Sequence, residues 1–147
     1  MIRVLVTDAA IDVAAELDAL ESAGGGAVAT FTGLVRDDRG VEELFLEHYP
    51  GATEDALNKL AAEVTERWSL AAATVIHRVG AMKPGERIVF VGTAAAHRSA
   101  ALDGCTFLID RLKTDAPFWK RETRGHDARW VAERESDRHA AKRWQNP

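Results

Sequence analysis

Lys113 and Lys120 lie seven positions apart in KTDAPFWKRE, either side of an Ala-Pro-Phe-Trp stretch. An amine can move a proton, attack an acyl carbon or hold an anion, depending on its surroundings. On one continuous helix the two would share a face, roughly 10 Å apart. Pro117 excludes that arrangement, because it cannot continue a helix and it pushes Ala116 toward extended geometry. Lys113 is therefore expected at a helix C-terminus and Lys120 on an extended segment that follows. Each also has an ordinary explanation. A lysine at a helix C-terminus complements the dipole, and a lysine on an edge strand discourages aggregation.

A second cationic feature shifts the balance toward chemistry. In AAAHRSA, His97 and Arg98 fall between a buried strand and a helix start. Positive side chains are unfavourable at a helix N-terminus, unless an anion binds the free N–H groups there. The competing reading is a partly buried histidine with the arginine paired elsewhere. Arg36 follows a strand and opens a loop, a frequent position for ligand contacts. His48 and His77 fall within strands and read as packed side chains. Cys105 lies on an apolar helical stripe and reads as a small core residue, since reactive thiols need an exposed, electropositive setting. The five histidines show no metal-ligand spacing and there is no cysteine cluster, so neither a metal nor a cofactor is expected. Gly24-Gly25-Gly26 lacks the spacing of a phosphate-binding loop and reads as a connection.

The elements that must position these residues can be read from periodicity. Ile2 to Thr7 is a β-rich strand, followed by a short helix over about Ile11 to Glu21. Ala27 to Val35 and Glu43 to Tyr49 are strands around the polar loop Arg36 to Gly40. A helix with Thr53 as its N-cap runs to about Trp68. Thr74 to Val79 and Arg87 to Ala95 are strands joined through a Pro-Gly turn. A helix over about Ser99 to Lys113 and a short strand over Phe118 to Glu122 follow. The order βαββαββαβ implies an α+β fold with a mixed, largely antiparallel sheet and flanking helices.

Composition limits the function classes. The chain has 147 residues, 46% hydrophobic and 29% charged, as expected of one globular domain over 1–147. From about Ser136 the end reads as helical or loose. A net charge of −4 argues against general nucleic-acid binding but leaves room for a local basic pocket. The apolar run at the N-terminus stops at Asp8, too short for a signal peptide or a membrane span. One cysteine fits a reducing cytoplasm.

The segments FTGLVRD, LEHYPGATEDAL, VIHRVGAMKPGE, FVGTAAAHRSAAL, LKTDAPFWKRE and RWVAERESD, taken in order, resemble the large, catalytic subunit of molybdopterin synthase. The resemblance implies an α/β hammerhead-type fold and a homodimer within a heterotetramer. It also implies a small ubiquitin-like sulfur-carrier subunit whose C-terminal Gly-Gly ends in a thiocarboxylate. The implied reaction places two sulfurs on cyclic pyranopterin monophosphate, opens its cyclic phosphate and yields the molybdopterin dithiolene, with no metal in this step. By position, the resemblance makes Lys113 and Lys120 the essential lysines. It places substrate contacts at Leu34, Val35, Arg36, His97, Arg98, Arg121 and Glu122, with Arg134 as a further candidate. Leu34 and Asp115 depart from the pattern, standing where relatives often carry a polar or basic side chain.

These readings converge on one expected mechanism. Arg36, His97, Arg98, Lys113, Lys120 and Arg121 would form a cationic set for a phosphorylated substrate and an anionic tail. Neighbouring positive charges favour a neutral amine, so Lys113 is the expected acid/base or nucleophilic group and Lys120 the anion holder. His97-Arg98 and Lys113 sit near opposite ends of one helix, so the site is expected to be shared across a two-fold dimer. The alternatives are a non-catalytic dimeric binding module for an anionic pterin or nucleotide, and an imine-forming lyase with Lys113 as the Schiff-base amine.

Overall fold

In the computed structural model, residues 1–37, 40–125, 127–131, 140–142 and 144 are described. Two four-stranded sheets carry three long helices. The first sheet has the order β1-β4-β6-β2, from β1 (Ile2–Thr7), β2 (Ala27–Leu34), β4 (Ala72–Arg78) and β6 (Arg87–Ala95). β1 and β4 run parallel, and the other pairings are antiparallel. The second sheet, β5-β3-β7-β8, is antiparallel throughout and is built from β3 (Glu43–His48), β5 (Gly80–Met82), β7 (Phe118–Arg124) and β8 (Asp127–Val131).

Side-chain alternation on the first sheet separates two apolar layers. Ala73, Val75, Val89 and Val91 face α2 (Ala52–Trp68) and α3 (Arg98–Asp115), whose Leu57, Val64, Phe107 and Leu108 complete the main core. Ala72, Ile76, Phe90 and Ala94 point the other way, against Leu20 of α1 (Val13–Ser22). β4 is therefore buried along its whole length, as a strand covered on both faces must be. Gly92 has a steric reason to lack a side chain. A Cβ there would stand 2.3 Å from a methyl of Leu20, so glycine lets α1 settle onto β6.

The α+β class with a mixed, largely antiparallel sheet and flanking helices holds, but as two sheets. The short strands β5 and β8 were not apparent in the sequence. Thr53 is not an N-cap: α2 starts at Ala52 after Gly51, whose N–H donates to the Glu54 carboxylate. Thr53 is instead fully buried. Its hydroxyl accepts from the Tyr49 N–H at 2.9 Å and donates to the Pro117 carbonyl at 2.8 Å. This bond ties the start of α2 to the backbone between the two lysines. From Ser136 onward, residues 140–142 are helical. Trp144 packs edge-on against Trp68 and Phe107, with its indole N–H donating to Asp110 at 2.7 Å. Among the described residues, no helix is long and apolar enough to cross a membrane.

Candidate active site

Pro117 acts as its chemistry requires. α3 ends at Asp115, Ala116 turns extended at φ −87° and ψ 125°, and β7 begins at Phe118. Lys113 thus projects from the last turn of α3 and Lys120 from β7. Both line one small cavity of about 80 Å³ between the two sheets. Lys120 reaches it because it pairs with Leu46 of β3 and Val131 of β8, both of which also line the cavity. A larger cavity of about 390 Å³ adjoins it, with Lys113 and Ile88 lining both. Phe31, Leu34 and Arg36 of the β2 end, and Asp110 one turn before Lys113, line the larger space.

Other expected positions separate from this pair. Val35 is 4% exposed and packs in the main core, with its N–H and carbonyl bonded to Glu86 and Gly85. Its side chain lines neither cavity. Arg121 is adjacent to Lys120 on a strand, so it points to the opposite face. There its guanidinium lies 4.8 Å from the Phe45 ring centroid and 5.7 Å from that of Trp130. Glu122 returns to the Lys120 face, but its carboxylate pairs with Arg124 at 2.7 Å. His97 and Arg98 are exposed at the N-terminus of α3. Fifteen residues of helix, about 22 Å, separate Arg98 from Lys113. Within one chain they do not meet. Arg134 lies outside the described residues.

The two departures from the pattern have clear settings. Leu34 is 54% exposed at the rim of the larger cavity, where it offers an apolar surface. Asp115 accepts from Arg111 one turn back at 2.7 Å, and its charge is partly offset there. Cys105 is buried, and burial pushes its thiol up to about 11. It is a packing residue, as its place on the helical stripe implied.

One functional candidate was read in the sequence only as a packed side chain. His77 is 4% exposed, yet it lines the small cavity with both lysines. Phe118 stacks on its ring at 4.0 Å. Burial lowers its pKa from 6.5 to about 3, and the charges of Lys113 and Lys120 push the same way against the Arg78 carbonyl bond. The unfolded chain therefore takes up a proton near pH 6.5 that the folded chain refuses until about pH 3. The stability held by this group is complete above pH 6.5 and is lost progressively toward pH 3, by up to about 3–5 kcal/mol. Denaturant midpoints at pH 7 and pH 4 should show this loss in the parent chain and a smaller one in His77→Gln.

Residues 6–115 match the family described as MoaE protein. The chain belongs to the MoaE family. It is 53% identical over 145 residues to the molybdopterin synthase catalytic subunit of Pseudomonas aeruginosa, covering 95% of this chain and 97% of that one. Among solved structures it resembles the molybdopterin biosynthesis MoaE protein of Burkholderia ambifaria, with a TM-score of 0.86, 44% identity and 98% of each chain covered. A Helicobacter pylori structure, a complex of subunits 1 and 2 of molybdopterin-converting factor, shares the fold at a TM-score of 0.75 and 20% identity, covering 90% of this chain and 91% of that one. Membership of this family makes the chain an enzyme of molybdenum cofactor biosynthesis.

Proposed function

We propose that this MoaE-family chain moves two sulfurs from the thiocarboxylated Gly-Gly tail of a small ubiquitin-like subunit onto cyclic pyranopterin monophosphate, forming the molybdopterin dithiolene. The observation that carries this reading is the meeting of Lys113 and Lys120, from separate elements, in one cavity beside a larger one that Arg36 lines. Lys113, lining both cavities, is placed to move protons or to attack the tail's acyl carbon. Lys120 is placed to hold negative charge that develops there. Each tail carries one sulfur, so two tails serve each pterin.

A two-fold dimer would complete the cationic set. Among the described residues β2 is an edge strand of its sheet, with an uncharged sequence and with Phe31 and Leu34 exposed. Such an edge readily pairs with another strand. Antiparallel pairing of two β2 strands would set the Leu34 end of one copy beside the Ala27 end of the other. Ala27 pairs with Ala95, two residues before His97. His97 and Arg98 of a second copy would then approach the cavity that Leu34, Arg36 and Lys113 line.

Incubating the chain with a thiocarboxylated small subunit and cyclic pyranopterin monophosphate tests the reading, by detection of the dithiolene product. Cys105→Ser should form product within about twofold of the parent rate, as expected of a buried thiol with no chemical part. A persulfide on Cys105 during turnover would overturn the assignment of sulfur to the partner's tail.

A further inference from the structure

His77 projects from β4, a strand covered on both faces, into the cavity that holds both lysines. Its Nδ1 lies 2.9 Å from the Arg78 carbonyl oxygen. A carbonyl oxygen can only accept, so Nδ1 carries the ring hydrogen and Nε2 presents a bare lone pair. The Phe118 ring, stacked at 4.0 Å with planes 26° apart, fixes the imidazole orientation. Phe118 is itself held through the neighbouring Pro117 carbonyl, which accepts from buried Thr53. A neutral acceptor, held in one orientation, thus lines the same space of about 80 Å³ as both lysines. Lys113 carries its amine on a four-carbon stem and lines the same cavity as this nitrogen.

We propose that His77 is a positioning residue, whose Nε2 accepts a hydrogen bond from the Lys113 ammonium and so fixes where that amine points. Of the two lysines, Lys113 also lines the larger cavity, so the direction of its amine bears on both spaces. A neutral acceptor suits this place better than a carboxylate, because it orients the amine without neutralising a pocket meant for anions. Its catalytic consequence rests on the reading of Lys113 as the working amine. The hydrogen bond itself does not.

The test uses the full chain with nitrogen-15 histidine at pH 7.5, with His77→Gln to assign the resonance. The expected spectrum shows His77 protonated at Nδ1 and bare at Nε2, with an Nε2 resonance that moves more in Lys113→Ala than in Lys120→Ala. An Nε2–H tautomer, or an Nε2 resonance indifferent to Lys113→Ala, overturns the proposal. Turnover provides the second arm. Gln can place a polar atom near the Nε2 position and should keep kcat within about threefold, whereas Asn matches only the Nδ1 position and should lose about 10–100-fold in kcat with KM within about twofold. Equal rates for the Gln and Asn variants overturn the positioning role. The spectrum requires no turnover, so failure of the sulfur-transfer reading would show as absent product in the parent chain while the spectral result stood on its own.

Discussion

A Lys113→Ala chain should fold as the parent does and lose about 10²–10⁴-fold in product formation, the range that a positioned proton-transfer group contributes. The fold is expected to survive because Lys113 is only half-buried at the last turn of α3, while the adjacent Leu112 is the side chain that enters the core. Removing a cation from a helix C-terminus costs only about 0.3–1 kcal/mol. Rate and stability should therefore separate, with thermal midpoints close together and rates far apart. Lys120→Ala should separate them less, because Lys120 packs between Leu46 and Val131 in the sheet. Near-normal single-turnover rates in Lys113→Ala would remove this amine from the chemistry.

Much of this arrangement was legible in the residues, and the part that was not has a physical pattern. Pro117 alone dictated that the two lysines sit on different elements, because its effect is local and covalent. Whether those elements then converge is a tertiary fact. It depends on β7 pairing with β3 in the register that sets Lys120 opposite Leu46, and on α3 packing over the first sheet. The sequence also placed Arg121 with Lys120 in one cationic set, yet strand alternation sends it to the aromatic face with Phe45 and Trp130. Strand alternation alone implies that placement, since Phe118 to Glu122 reads as extended. Val35 follows the last residue of β2, and its side chain belongs to the core. β5 and β8 escaped notice because three- and five-residue strands leave little periodicity, and β8 lies in a charged stretch. His77 was rightly read as packed. The wall it belongs to is also a wall of the lysine cavity, a tertiary fact that the strand pattern does not carry.

Mixing two inactive chains should restore activity. Lys113→Ala lacks the amine, and His97→Ala lacks the imidazole at the N-terminus of α3, about 22 Å away along the same helix. If each site draws Lys113 from one copy and His97 from the other, a mixed dimer contains one site with both residues intact and one with neither. Random exchange of equal amounts makes half of the dimers mixed, and half of the sites in those are intact. Activity should therefore rise to about a quarter of the parent value, as two-fold symmetry requires. If both groups served the same copy's site, every site in the mixture would still lack one of them and the rate would stay at the level of the separate variants. A lysine placed mid-strand in β2, as in Thr30→Lys, supplies the control. By blocking edge pairing it should prevent the recovery when carried by both chains. Recovery that persisted with Thr30→Lys in both would place the shared interface elsewhere than the β2 edge while leaving the shared site intact.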